Sequence, residues 1–404
     1  MHPMMKPALR RGWRDLETVQ FGMTPAHALT LGPMDSATGS FLDLLNGARG
    51  LPLLRQEGRR LNLPEGRVDA LVERLSRAGL VDDARGGGPA ADALRQKESV
   101  LRRLRPDLAS LTLTTPEPGG GLARLAARRA LRVRVRGAGR VGAVLASVLS
   151  GAGVGEVEVQ DSGRVEPWDV APGGLPAESV GDRRDTAARA VVRRAAPERA
   201  PRRPHSPGSG AEDPGLSLVI LTPRDEVAVH APDPREAEPL LASGTPHLYA
   251  GVVEGTGVVG PLVLPGESGC AGCLHQDRTD RDPAWPRLVA QWRTGRSRRT
   301  GACDLTLAVT VAGLAAAHAL TFLDGGSPSA AGVRWEASLP GLTWHSRPIR
   351  PHPACGCAAA RKAKGEHSST DGHRRATMAV QRPTTERRRE AGAARPTGTW
   401  RAHV

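Results

Sequence analysis

Residues 131–161 read LRVRVRGAGRVGAVLASVLSGAGVGEVEVQD, and this stretch decides the fold. Residues 131–136 form a strand-like run. Gly137-Ala-Gly139-Arg-Val-Gly142 closes it and opens a helix over about 140–150, and a second strand at 156–160 ends on Asp161. Strand, helix and strand in that order make a βαβ unit. In a Gly-x-Gly-x-x-Gly turn the missing side chains let backbone N–H groups approach phosphates at a helix N-terminus, where the helix dipole favours negative charge. Asp161 arrives nineteen residues after Gly142, placed to accept hydrogen bonds from a ribose hydroxyl. The predicted class is α/β, a Rossmann-like doubly wound mixed sheet. This constellation alone does not separate NAD from ATP.

Four cysteines in two tight pairs, Cys270-Ala-Gly-Cys273 and Cys355-Gly-Cys357, lie further along the chain. Zinc takes four thiolates tetrahedrally in structural sites, and pairs spaced by one or two residues each supply two corners. Glycines at 269, 272 and 356 suit the tight backbone this needs. A closed four-sulfur site leaves no open coordination position, so the expected Zn2+ staples the domain rather than catalysing. Cys303 stands apart before a long apolar helix, and a buried free thiol is favoured over a reactive one.

Composition bounds the rest. The 404 residues are enough for two or three domains, and the scarcity of aromatics (eleven, against 48 Gly and 34 Pro) implies an aliphatic core and many turns. The net charge of +14 invites a nucleic-acid partner. Half of it, however, lies in residues 361–404, with eleven Lys or Arg against four acids, which reads as a disordered basic tail from 359 onward. Nucleic acid is therefore disfavoured. The N-terminal residues lack an apolar signal core, and five cysteines in this arrangement fit a reducing compartment, so a cytoplasmic location is expected. Residues 305–323 run nineteen positions without a formal charge, long enough for a membrane span. A span there would put the two cysteine pairs on opposite sides of a membrane, so a buried helix is predicted instead, with a subunit interface as one use for it.

Along the chain, residues 1–15 read as a tail. Short strands at 18–21 and 27–31 and three helices, near 35–47, 51–61 and 68–79, read as a winged-helix-like module over 16–83. The third helix carries Val68, Leu71, Val72 and Leu75 at i, i+3, i+4 and i+7 and stops at Gly79. Its charge is balanced, which favours a protein partner over DNA. Residues 84–130 read as a linker with one helix at 94–104, and the main domain as 131–358. Further strands are expected at 216–221, 248–253 and 260–264, and a helix at 186–195. The stretch 282–286, DPAWP, has no mechanism attached.

The words GAGRVG (137–142), GAGVGEVEVQDSGRVE (151–166) and LYAGVVEGTGVVGPLVLPGESGCAGC (248–273), the apolar helix and the last cysteine pair, in this order, resemble the ThiF/MoeB/HesA family of ubiquitin-activating-enzyme-like proteins. The resemblance spans 131–358. It implies an adenylyltransferase that binds ATP with Mg2+ and activates the C-terminal carboxylate of a small protein or peptide as an acyl adenylate. On that basis Gly137, Gly139 and Gly142 line the phosphate turn, and Asp161 holds the ribose. Asp169 stands where the family has Asn, Arg184 where it has a phosphate-binding lysine, and Asp225 or its neighbour near the acid that holds magnesium. The chain departs from the family at Gly163, where a second acid is usual, at Pro172 in place of Arg, and at Arg140 within the turn. These changes remove hydrogen bonds and positive charge from the phosphates, so the ATP site is partly degenerate.

A front module ahead of such a domain resembles peptide-modification proteins in which a winged helix captures a precursor's leader by strand addition. The expected partners are thus a small protein or precursor peptide, a second modifying enzyme and a second copy of the chain. The competing function is a degenerate scaffold that binds a leader and presents it to another enzyme. An NAD-dependent oxidoreductase would use the same turn and Asp161, but no His/Asp or Ser/Tyr/Lys set for hydride chemistry accompanies them.

Overall fold

The computed structural model describes residues 1–198, 215–294 and 301–362. The tail expected from 359 onward starts later, since Ala359 and Ala360 are helical and buried; the chain beyond 362 and most of the Pro/Ser/Gly stretch after 198 lie outside the described residues.

The chain begins with strands β1 (Pro3–Met5), β2 (Arg11–Trp13), β3 (Val19–Phe21) and β4 (Leu29–Leu31), then helices α1 (Ser36–Leu44), α2 (Leu51–Arg60) and α3 (Arg67–Arg77), then β5 (Val81–Asp83). β2, β3 and β4 form an antiparallel sheet, and β1 pairs with β5. Residues 1–15 are therefore no free tail: Pro3–Met5 is stitched to a strand almost eighty residues later, a pairing that three residues cannot announce by periodicity. Asp35 caps α1 by accepting the Thr38 N–H at 2.7 Å. The predicted stripe of α3, Val68, Leu71, Val72 and Leu75, is buried against Phe21, Phe41, Leu42 and Leu54.

Residues 84–130, expected to be a linker with one helix, hold four: α4 (Gly88–Arg95), α5 (Glu98–Arg103), α6 (Arg105–Thr114) and α7 (Gly120–Arg128). They bury a core of their own around Leu94, Val100, Leu104, Leu111, Leu122 and Leu125. The glycines that read as breaks work as helix starts, since Gly87 and Gly119 carry φ of 99° and 81° at the N-caps of α4 and α7.

The main sheet follows with β6 (Arg132–Arg136), α8 (Arg140–Gly151), β7 (Glu156–Gln160), α9 (Arg184–Ala195), β8 (Leu218–Leu221), α10 (Glu226–His230), α11 (Pro234–Ala242), β9 (His247–Val253), β10 (Thr256–Val263), α12 (Ala271–Arg281), α13 (Trp285–Thr294), α14 (Leu305–Leu323), β11 (Val333–Ser338) and β12 (His345–Pro348). Strand order is β12-β11-β10-β9-β8-β6-β7; β7, β6, β8 and β9 run parallel and the remaining pairs antiparallel. Both faces are covered. Leu218 and Ile220 of β8 face a core with α8, α9 and α14, while Val219 and Leu221 face a second core with α11 and α12, which is why this strand is a continuous apolar run.

α14 passes the length and apolarity test for a membrane span, alone among the described residues. Leu307, Ala308, Val311, Ala312, Ala315, Ala316 and Ala319 are buried in the sheet's core, the stripe of a helix packed on one side. Thr306, Thr310, Gly313, Ala317 and Thr321 make up an exposed face without charge.

Candidate functional site

The sheet's order reverses between β6 and β8: the chain leaves β6 toward β7 on one side and returns to β8 on the other. Ligands of open α/β sheets bind beyond the strand C-termini at such a switch point. Here a cavity of about 740 Å3 opens, lined by Gly139, Arg140 and Gly142 of the turn, Glu166, Trp168 and Asp169, Thr222 through Glu226, Val252, Gly301 and Cys303.

The three turn glycines do different jobs. Gly137 has φ of 106°, and a Cβ there would lie 1.9 Å from the Thr222 carbonyl oxygen. A Cβ on Gly142 would lie 2.0 Å from the Gly137 oxygen and 2.4 Å from Thr222 Oγ1. These two are demanded by packing of the turn against the end of β8, where the Thr222 hydroxyl donates to the carbonyls of Arg136 or Gly137 (3.1 and 2.9 Å). Gly139 instead faces the cavity, and a Cβ on it would meet the stem of Arg224 at 3.0 Å. It keeps the space in front of the helix N-terminus open.

Asp161 lies beneath the turn. One oxygen accepts the Ala138 N–H at 2.6 Å and the other accepts Arg184 Nη1 at 2.6 Å. Arg184 is buried, donating also to the Ser162 and Arg164 carbonyls and, through Nε, to Asp169 at 3.1 Å. Its guanidinium is thus turned toward the acids rather than lining the cavity. Asp169, also buried, takes Arg224 on its other oxygen (2.9 and 3.0 Å), and Arg224 reaches on to Glu166. That contact holds the Glu166 carboxyl below the usual carboxylate range. Gly163 has φ of 93°, a conformation that suits glycine, so a second acid two residues after Asp161 would be strained here.

Asp225 sits at the cavity edge, but its carboxylate caps α10 by accepting the Val227 N–H at 3.1 Å. Glu226 accepts the N–H groups of Glu254 (3.2 Å) and Ala302 (2.9 Å), holding the segment before α14 against the cavity. One oxygen of the expected magnesium acid is thus engaged by the helix cap, and Arg224, Asp225 and Glu226 all line the cavity at this point. Arg140 donates to the Cys303 carbonyl at 2.9 Å, and burial pushes the Cys303 thiol above its usual range. Arg224, Glu166 and Trp168 were not selected from sequence. Glu166 ends the word at 151–166 and the other two lie between motifs, and their convergence depends on the loop 161–169 folding back over the turn.

The four paired cysteines converge as predicted. Sγ separations are 3.9 Å for Cys270 and Cys273, 3.7 Å for Cys270 and Cys355, and 3.6 Å for Cys273 and Cys357, and all four sulfurs lie within 4.8 Å of one another. Tetrahedral Zn–S bonds of about 2.3 Å put sulfurs about 3.8 Å apart, so the donor set fits zinc. Backbone N–H groups of His352 and Ala360 donate to Cys273 and Cys357. Gly272 is needed for space, because a Cβ would lie 2.9 Å from Cys355 Sγ, whereas one on Gly356 would meet nothing within 4 Å. The cluster sits on the face of the sheet covered by α11 and α12.

No curated protein matches the chain by sequence. Among solved structures, Escherichia coli MccB with selenomethionine MccA superposes at TM-score 0.62 and 14% identity, covering 89% of this chain and 99% of that one. MccB with ATP gives 0.62 at 15%, over 88% and 99%. PaaA gives 0.57 at 15%, over 85% and 98%. These establish a shared fold. The sequence profile of the ThiF family matches residues 118–358, which hold the glycine turn, the loop that folds over it and all four clustered cysteines, and the chain belongs to that family.

Proposed function

We propose that the chain is an ATP-dependent adenylyltransferase that activates the C-terminal carboxylate of a peptide or small protein. One observation carries the reading: in a ThiF-family chain, the glycine turn at the N-terminus of α8 opens into the switch-point cavity, walled by Arg140 and Arg224. In the reaction a carboxylate oxygen bonds the α-phosphorus of ATP. The bond from that phosphorus to the bridging oxygen breaks, and pyrophosphate leaves with the electron pair. The chain's part is to orient the triphosphate along the turn's N–H groups and to offset the charge that grows on pyrophosphate. Asp161 would hold the ribose by exchanging its bond from Ala138 or Arg184, and Asp169 and Arg184 would brace it from below. Cys270, Cys273, Cys355 and Cys357 hold Zn2+ as a brace in this reading, which suits a cytoplasmic chain whose thiols stay reduced.

The peptide partner is supported by the fold neighbours, since the MccB structures include complexes with ATP and with MccA. Strand addition is the proposed mode of capture. β4 is an edge of the front sheet, and a second cavity of about 270 Å3 beside it is lined by Leu9, His27, Leu29, Arg77 and Leu113 among others. A second chain against the uncharged face of α14 and a partner modifying enzyme belong to the same proposal. The scaffold alternative is favoured by the bonds among Asp161, Arg184, Asp169 and Arg224, which satisfy these groups without a nucleotide.

ATP–pyrophosphate exchange stimulated by a candidate precursor peptide separates the two. Exchange that is lost in Asp161→Ala, in a variant whose thermal unfolding remains cooperative, supports the enzyme. Tight peptide binding with no exchange supports the scaffold.

A further inference from the structure

The Tyr249 hydroxyl, on β9, is buried and makes no hydrogen bond among the described residues. Tyr249 is the chain's single tyrosine, and its ring packs edge-on against His247, with centroids 5.7 Å apart. A buried hydroxyl without a partner has lost its hydrogen bonds to water and regained none, which weakens the fold. Phe would fill the same space without that cost. Packing alone therefore gives no reason for a polar group at this position.

The sulfur cluster supplies one. Tyr249 belongs to the same core as Cys270, Cys273 and Leu274, on the sheet face covered by α11 and α12. Burial pushes its pKa up, and the charges of Cys270 and then Glu236 add to the rise, so the group stays an O–H donor. Of these two neighbours Glu236 is exposed and keeps its water, whereas Cys270 is as thoroughly buried as the hydroxyl. Four thiolates around Zn2+ carry two net negative charges, and a site inside an apolar core must offset them with hydrogen bonds. Backbone N–H groups of His352 and Ala360 do so for Cys273 and Cys357.

We propose that Tyr249 is a positioning residue of the metal site, its hydroxyl donating to the Cys270 thiolate and holding that sulfur on Zn2+. This rests on the zinc reading above, and the test is chosen to distinguish failure of one from failure of the other. The full chain, purified with its zinc, is titrated with a chromogenic chelator, beside Tyr249→Phe and Val219→Ala. The second variant thins the same core without removing a donor. Cobalt then replaces zinc in all three, and the thiolate-to-cobalt absorption is recorded.

The expected result is a loss of zinc affinity of about 10–100-fold in Tyr249→Phe. Its thiolate-to-cobalt band should move to lower energy, because a sulfur relieved of a hydrogen bond gives up charge more readily. Val219→Ala should lower the thermal midpoint and leave the band in place. Phe keeps the ring and its packing against His247, so the variant retains the fold. Parent affinity and an unmoved band in Tyr249→Phe overturn the inference and leave the zinc reading standing. A parent chain that binds neither metal overturns both. Lost affinity with an unmoved band, or an equal band shift in Val219→Ala, assigns Tyr249 to packing alone and overturns the inference as well.

Discussion

The sulfur cluster and the glycine-turn cavity are the two ends of one family design, and they differ in how much freedom the chemistry leaves them. The cluster needs four zinc-competent donors at fixed separations, and the chain supplies four thiols within 4.8 Å of one another. The cavity needs only that phosphate charge be met, which cations, dipoles and metal ions can each do. It is there that the chain departs, filling the floor with Asp161, Arg184, Asp169 and Arg224 bonded to one another. A stapling site tolerates only another zinc ligand in place of a donor, whereas an electrostatic site can be rewired.

Breaking the cluster should have the largest effect. Cys273→Ala removes a buried ligand from the centre of the core shared by Val219, Leu240 and Leu274. Assembly of a structural zinc site is on the order of 10 kcal/mol in zinc-finger peptides, most of the stability of an ordinary domain. Metal analysis should find one zinc per chain in the parent and none in the variant, and thermal unfolding should lose its single cooperative transition. Parent protein that carries no zinc and is indifferent to strong chelators would remove the comparison at its root.

The floor of the cavity comes next. Arg184→Ala leaves Asp161 and Asp169 buried without the cation they share, a loss of about 3–5 kcal/mol for a broken buried pair. Denaturant unfolding measures it. Arg184→Lys should fall between, because an ammonium group cannot donate in parallel to both acids and two carbonyls. A loss under about 1 kcal/mol for the alanine variant, the range of exposed pairs, would mean that the acids are solvated and that the floor is open to ligands.

What the sequence made legible follows the same division. The βαβ unit at 132–160, α3 and the cysteine pairs could be read because each obeys a short local rule: a period, a turn that tolerates only glycine, or a ligand spacing. The helices of 84–130 were less visible. Gly87 and Gly119 look like breaks, and their use as left-handed caps depends on how α4 and α7 pack, with each glycine's missing Cβ giving room to the other's backbone. β11 and β12 were missed because a pair near the sheet's edge is half exposed and carries mixed residues such as Arg334, Trp335 and Glu336. At the site, Arg184 was read as a phosphate ligand from its position. Which way a long side chain turns is decided by the acids around it, and two of these lie 15 and 23 residues away in sequence. Trp285, in a stretch with no assigned purpose, opens α13 and packs edge-on against His230 and Trp292.

That aromatic group joins the two regions, and it yields the smallest of the expected effects. α10 begins at the cavity with Glu226 and ends at His230, whose carbonyl accepts Arg278 of α12, the helix that carries Cys273. Burial, with Arg278 and Arg334 nearby, pushes the His230 imidazole down to about 4, while the Glu336 carboxylate opposes that shift. In the unfolded chain the group titrates near 6.5. Between those two values the unfolded state binds the extra proton, so the contribution of neutral His230 is fully present above about 6.5 and is lost as pH falls toward 4. Stability measured by denaturant across that window should decline with acid in the parent, and His230→Gln should flatten the decline without touching zinc content. An unchanged slope would mean that α10 and α12 separate readily enough to hydrate the ring. The cavity and the cluster would then be independent units rather than one braced body.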